Sequence, residues 1–280
     1  MIFVRDKGQM CNNILQYAHV YAWAREHHRH CMSMRFAYKY QYFRICSSRH
    51  HNFFYYLAGK LLAEWGIIPT VTFDENMTDL AGAERLILSK PNVMIEGWGV
   101  RFFDLFHKYL HEIVALFEFN PSIRQRTNVL LQSAANPALP RIGVHIRRGD
   151  YKTWCAGKFY FTDEEYLAYI LRAMEELGQS HYNIYMCGNV SIDEDWFRAR
   201  IGGRAEVFFP HGNPGEDLCV LSECNYLIGP LSSFTLVASM YGKAQLYWMY
   251  SHDVSTPIVF APFERRLPEL DTLWGQVFNG

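Results

Sequence analysis

An apolar run that ends in a histidine, two adjacent arginines and an aspartate, IGVHIRRGDYKTW at residues 142–154, carries the clearest chemistry in the chain. Guanidinium groups grip phosphate oxygens through paired N–H donors and stay charged. Arg147 and Arg148 therefore suit an anion, above all a diphosphate that gains charge as a bond breaks. A structural alternative stands beside that reading, in which an arginine pairs with Asp150 and ties down a loop. In LIGPLSSFTLVASMYGK, residues 227–243, a strand ends at Gly229-Pro230 and a helix starts near Phe234. Ser232 and Ser233 then fall at the helix N-terminus, where hydroxyls and unpaired amides bind phosphate, and either serine can be the N-cap as well. In DKGQMCNNILQYA, residues 6–18, Gly8 permits a tight turn and Gln9, Asn12 and Asn13 offer neutral hydrogen-bonding groups. A simple turn and cap would use the same residues.

These groups need elements to position them. Residues 1–4 read as a strand and 14–26 as a helix with Leu15, Ala18, Val20, Ala22 and Trp23 on its apolar side. A strand comes next at 93–98, then an amphipathic helix at 102–117 that stops near Pro121. The small residues and two prolines of SAANPALP, 133–140, make the best linker, which sets two domains at 1–135 and 136–280. Strands at 142–146, 183–187, 205–209, 226–229 and 245–249 then alternate with helices at 163–177, 193–201, 216–224 and 233–241. Thr162 and Glu165 are spaced for a capping box. Such alternation gives a mostly parallel sheet covered on both faces, with ligands beyond the carboxyl ends of its strands. The arginine loop and the serine-bearing helix start lie side by side if their two strands are neighbours.

The 280 residues are half apolar, enough for a substantial core. With 27 basic against 28 acidic side chains, nothing points to a polyanion-binding surface or a nucleic-acid partner. The opening MIFVRDKGQM is charged after four residues and lacks a long apolar run, so neither a signal peptide nor a membrane span is expected there. A cytoplasmic protein is the default expectation, with peripheral association at the inner membrane left open. Seven cysteines without a CxxC pair fit reduced thiols, and structural zinc is not expected. The run HHRH, 27–30, reads as a solvated helix end because no matching ligand stands at metal spacing.

HIRRGDY resembles the H-x-R-R-x-D motif of the α1,2-fucosyltransferases and of the wider superfamily that includes α1,6- and protein O-fucosyltransferases. GQMCNNILQYA is similar to the N-terminal motif of the α1,2 branch, and EDLCVLSECNYLIGPLSSF to its acidic-Asp-Leu…Ser-Ser-Phe segment; the three occur in family order. The resemblance implies an α/β fold of the GT-B type, two Rossmann-like domains facing across a cleft. The first would be the acceptor side, the second would bind the nucleotide sugar, and the last helix is a candidate to pack back on the first. It implies an inverting transfer of fucose from GDP-fucose, as donor substrate, to a glycan hydroxyl, with an α1,2 linkage to galactose favoured. No metal and no other cofactor are expected.

Residue by residue, the resemblance has Arg147 hold the β-phosphate of the leaving GDP with help from Ser232 and Ser233, and His145 approach the guanosine. Arg148 and Asp150 shape the loop, and Asp150 is also named as catalytic. Gly8, Gln9, Asn12, Asn13, Asp217 and Phe234 complete the donor site. Asn189 joins them, standing where related enzymes often carry an acidic residue against guanine. Thr235, Leu236 and Val237 stand where the α1,2 enzymes commonly have tryptophans. Asp6, Glu96 and Asp150 are candidates for the base that deprotonates the acceptor. A transferase using another nucleotide sugar, or a non-catalytic binding protein on this fold, stays open at this point. A sulfo- or phosphoryl-handling protein using the same arginines is a further rival; it would need its own anion loop, and no GxxxxGK occurs.

Overall fold

The computed structural model describes residues 1–74 and 79–279, with side chains of the last helix described to Leu270 and at Thr272. The chain forms two compact units, Met1–Asn120 and Pro121–Gly280.

The first unit runs β1 (Ile2–Arg5), α1 (Met10–Glu26), β2 (Cys31–Ser33), α2 (Phe53–Glu64), β3 (Thr70–Thr72), α3 (Leu80–Ser89), β4 (Val93–Glu96), α4 (Phe103–Lys108) and α5 (Leu110–Leu116). Its four strands are parallel in the order β2-β1-β4-β3. Parallel strands covered by helices are apolar throughout, and Ile2, Phe3, Val4, Val93, Met94 and Ile95 are all buried. The expected single helix over 102–117 is two, broken at Tyr109, where ψ rises to 14°. The break lets Lys108 and Tyr109 both bond Glu26, at 2.6 and 2.8 Å.

The second unit runs α6 (Pro121–Gln132), β5 (Arg141–Ile146), α7 (Asp163–Leu177), β6 (Tyr182–Gly188), α8 (Glu194–Ile201), β7 (Ala205–Phe208), α9 (Pro214–Ser222), β8 (Tyr226–Pro230), α10 (Ser233–Ser239), β9 (Gln245–Met249) and α11 (Phe263–Asn279). All five strands are parallel, in the order β7-β6-β5-β8-β9. The arginine-bearing strand β5 is therefore central, with Ile142, Val144 and Ile146 fully buried. Thr162 and Glu165 form both bonds of the capping box that starts α7.

Two expectations about boundaries change. Pro121 starts a helix instead of only ending one, because proline fits the first turn, where its missing N–H has no partner to lose. That helix, α6, belongs to the second unit and is held there by Arg124 on Glu223 at 2.5 Å. Residues 133–140 thus turn from α6 into β5 inside the second unit. The beginning of α11 buries Phe263, Leu267 and Leu270, and Arg266 donates to the Leu246 carbonyl at 3.0 Å, within that same unit.

Candidate active site

Strands β5 and β8 pair from Ile142↔Tyr226 to Val144↔Ile228, so the loop after β5 and the turn into α10 leave the sheet side by side at its carboxyl edge. Sequence order alone separates them by some eighty residues. Tyr151 closes the gap: its hydroxyl donates to the Leu231 carbonyl at 2.6 Å. Its ring lies under the guanidinium of Arg147, 5.5 Å from centroid to Cζ. Arg147 also bonds Asp150 at 2.9 Å, and its backbone N–H donates to the Tyr166 hydroxyl at 3.1 Å. The loop clasp of the structural alternative is therefore present, and it leaves Arg147 at the strand end with its planar fork oriented.

Arg148 points elsewhere. It donates to Asp163 at 2.6 Å and to the Phe161 carbonyl at 3.0 Å, which anchors the loop to the start of α7. Asn189 clamps the same residue from β6: its Oδ1 accepts from the Arg148 N–H at 2.8 Å while its Nδ2 donates to the Arg148 carbonyl at 3.1 Å. Both ends of the Asn189 amide thus bond the loop backbone, each keeping capacity for one further hydrogen bond. Gly149 sits in that loop at φ +66°, which a side-chain-bearing residue adopts only with strain.

On the β8 side, Ser232 caps α10 by accepting from the Phe234 N–H at 3.1 Å. Ser233 opens the helix beside it. The Phe234 ring stacks on His145 at 4.6 Å and 16°. His145 is 4% exposed, and burial together with the nearby Arg147 charge pushes its pKa down to about 3. It is a neutral ring packed beneath the loop, where it props Phe234. The stacked Phe234 ring covers one face of His145, and its Nδ1 is buried without a hydrogen-bond partner.

One strand over, a cavity of about 170 Å³ opens at the carboxyl ends of β6 and β7, walled by Gly188, Ile192, Phe209, His211, Gly212 and Asp217 among others. Asp217 reaches it from the first turn of α9. Its Oδ1 is buried without a hydrogen-bond partner. Burial pushes the Asp217 carboxyl up to about 7, offset in part by the Gly212 N–H. A Cβ on Gly212 would crowd this turn, standing 2.8 Å from Glu216 Cβ and 2.9 Å from Asp217 Oδ1. Gly188 pairs with Ile146, so this cavity is immediately beside the arginine loop.

In the first unit, Gly8, Gln9, Asn12 and Asn13 come together at the start of α1. Gly8 has φ +89°, and a Cβ would meet Asn12 Nδ2 at 2.7 Å. Gln9 is the N-cap residue without a side-chain cap bond, and Asn13 is wholly buried, with Nδ2 on the Gly8 carbonyl at 3.4 Å. Gln16 holds the loop through both backbone groups of Lys7, at 2.7 and 3.1 Å. Asp6 is 3% exposed and bonded to the Ser33 hydroxyl, with its carboxyl pushed up to about 7 by burial. Glu96 bonds Arg5 at 3.3 Å and Thr72 at 3.2 Å. Of the three base candidates, Asp150 is the exposed one, at 61% of its side chain.

Sequence reasoning did not find Tyr151, Tyr166, Asp163, Gly188, His211 or Gly212 as parts of this site. Tyr151 was legible only as a member of the motif; the rest carry no local signal. Among the described residues no three of His, Cys, Asp and Glu gather as metal ligands. His27, His28 and His30 lie past the end of α1 and do not join the site.

The chain is similar to mouse galactoside 2-alpha-L-fucosyltransferase Sec1, at 28% identity over 197 residues, 62% of this chain and 52% of that protein. It is 25% identical to galactoside alpha-(1,2)-fucosyltransferase 2 of Pongo pygmaeus over 180 residues, 59% of this chain and 50% of that one. The chain thus spans about half the length of the curated relatives it matches. Among solved structures, an Arabidopsis thaliana FUT1 variant in complex with GDP superposes with a TM-score of 0.61 at 12% identity, covering 92% of this chain and 73% of that one. Fucosyltransferase NodZ from Bradyrhizobium gives 0.58 at 13% identity, covering 93% and 99%. At such identities the likeness is one of fold, and the fold is the GT-B type, two Rossmann-like units. A family model described as Glycosyl transferase family 11 matches residues 70–246, well over half of the sequence, and the chain belongs to that family.

Proposed function

We propose that this chain transfers fucose from GDP-fucose to a glycan hydroxyl, with inversion and with an α1,2 linkage to galactose. The observation that carries this reading is the line of features along one sheet edge: a cavity with an unpaired carboxyl oxygen at β6–β7, then Arg147 at β5, then the serine-opened helix start at β8. Neighbouring strands are ~4.8 Å apart, so the cavity and the β5–β8 edge are separated by roughly the reach of a nucleoside diphosphate. Guanine presents N1–H and an exocyclic amine on one edge, and the unpaired oxygen of Asp217 accepts from it. The relatives named as galactoside 2-alpha-L- and alpha-(1,2)-fucosyltransferases support fucose as the transferred sugar and the linkage to galactose.

In the displacement, the acceptor oxygen bonds to the anomeric carbon as the bond from that carbon to the β-phosphate oxygen breaks. The electron pair stays on GDP, and the proton of the acceptor hydroxyl leaves to water as the new bond forms. Arg147 meets that growing charge with a two-donor fork, and the amides at the start of α10 with Ser233 add neutral donors. Asp150 touches Arg147, on the leaving-group side of an in-line displacement, so it acts by orienting the guanidinium. In this reading the arginine takes the place a divalent cation fills in other transferases, and turnover persists in chelator. Seven free cysteines fit a reducing compartment, which favours cytoplasmic steps of surface-glycan assembly.

The test is a donor and acceptor assay. Purified protein, GDP-fucose and a β-galactoside are incubated with EDTA, and products are read by mass spectrometry, with linkage by methylation analysis. A fucosylated galactoside carrying a 2-linked branch is expected. GDP binding without release of fucose to acceptor or water would make this a binding protein, and turnover of a different nucleotide sugar would replace the donor.

A further inference from the structure

Helix α2 is apolar on both faces, and the sheet covers only one of them. Its inner side packs Tyr55, Tyr56, Leu62 and Ala63 on Phe3, Met32, Met34 and Ile68. The contact is close at Gly59, where a Cβ would stand 2.4 Å from the Phe3 ring. The outer side presents Phe53, 61% exposed, Phe54, 74%, and Leu57, 42%, and the chain leaving the helix adds Trp65, 69%, and Ile67, 62%. Phe53, Leu57, Leu61 and Trp65 succeed one another at a spacing of four, so they form a single stripe along the helix. A contiguous apolar stripe of this kind marks an interaction surface.

The charged residues of this stretch are predominantly basic. Residues 34–67 contain Arg35, Lys39, Arg44, Arg49 and Lys60 against Glu64 alone, in a chain whose total charge is −1. Glu64 is paired with Lys60 at 3.8 Å. Arg49 sits at the helix start, its carbonyl accepting from Asn52 at 2.9 Å. Arg35 donates to the Tyr38 hydroxyl at 2.9 Å, and the Tyr38 ring lies 4.7 Å from Tyr56 of α2. The apolar stripe is thus bordered by cations at its start, along its length and beside it.

We propose that α2 and the Trp65–Ile67 segment rest in the headgroup layer of a bilayer that contains anionic phospholipid. At 12 residues the helix is ~18 Å long, too short to cross ~30 Å of hydrocarbon, and it lies in the interface plane. Phenylalanine and tryptophan rings enter the acyl boundary while arginine and lysine stems extend to lipid phosphates. A second copy of this chain is a poorer occupant, because apposing two such faces sets Arg35, Arg49 and Lys60 against their like. The proposal is independent of the donor chemistry of the second unit.

The experiment is co-sedimentation of the full chain with vesicles of phosphatidylcholine alone or with phosphatidylglycerol added. Pelleting with the anionic vesicles, weaker with the neutral ones and falling as salt is raised, is expected. Phe54→Ser with Trp65→Ser lowers partition on the order of tenfold or more, and Arg49→Gln with Lys60→Gln removes the preference for anionic vesicles. Thermal melts confirm that each variant is folded, and Phe54→Ser alone serves if the double variant is not. Absence of vesicle binding by the native chain, or binding untouched by the apolar substitutions, overturns the proposal. So does sedimentation velocity in which those substitutions convert a dimer to a monomer while vesicle binding is nil, which assigns the face to a second copy.

Discussion

Tyr151 donates its hydroxyl to the Leu231 carbonyl at 2.6 Å, tying the arginine loop after β5 to the turn that opens α10. Two segments far apart in sequence are thereby fixed side by side at one edge of the sheet. Tyr151→Phe keeps the ring under Arg147 and removes only this bond. A loss of about 0.5–1.5 kcal/mol in stability is expected in urea titrations, together with weaker GDP binding by calorimetry. Full stability loss with unchanged GDP affinity would show that the tie does not serve the site.

Arg147→Lys and Arg148→Lys separate the two arginines. Lysine at 147 keeps the charge and loses the fork, so turnover falls on the order of 10²–10³ while the melt stays close to native. Lysine at 148 loses the bond set to Asp163 and the Phe161 carbonyl, so its main effect is a lower melting temperature. The comparison needs steady-state rates and melts of both proteins. Near-normal turnover in the first variant would remove Arg147 from catalysis.

Asp217 sets a pH dependence of base binding. Its carboxyl is pushed up to about 7 by burial, and guanine's donors require the ionised form. Guanosine affinity therefore rises as pH increases from about 6 to about 8, and Asp217→Asn abolishes that rise. Guanosine is the ligand to titrate, because a diphosphate ionises in the same range. A native profile that is flat, or falls, is incompatible with the assignment.

Asp6 sets a pH dependence of stability. Its folded pKa, about 7, lies above the ordinary carboxylate value of 3.8, so the folded chain holds this proton more tightly than the unfolded one. The resulting stability is fully present below about pH 4 and is lost as pH rises through about 7. Asp217 adds to the same slope. Measured relative to Asp6→Asn, the native melting temperature should decline from about pH 5 to about pH 8, because the opposite slope of the buried neutral His19, His51 and His145 is common to both proteins, and a difference that does not change with pH would exclude Asp6 as its source.

Much of the second unit is visible in sequence because its signals are local. Short apolar strands alternate with capped helices, and the Thr162–Glu165 box marks the start of α7 from four consecutive residues. The first unit is less legible. Strands β2 and β3 have three residues each, too few for a pattern, and α2 carries only Lys60 and Glu64 as charged residues, too few to reveal its period. Pro121 is ambiguous for a related reason, since proline both ends helices and begins them.

Residue types and their spacing were enough to pick out the side chains able to meet a diphosphate: Arg147 at the end of a strand, and Ser232 and Ser233 at the start of a helix. They also carried the order of the three motifs that mark the family. What each polar group does had to wait for the folded chain. The strand order β7-β6-β5-β8-β9 brings Asn189 onto the Arg148 backbone and His145 under Phe234, and it leaves Asp217 with an unpaired oxygen in the cavity. Hydrogen bonds and burial between residues forty to ninety positions apart depend on which strands become neighbours. That is set by the packing of whole helices and sheets, and no short stretch of chain encodes it.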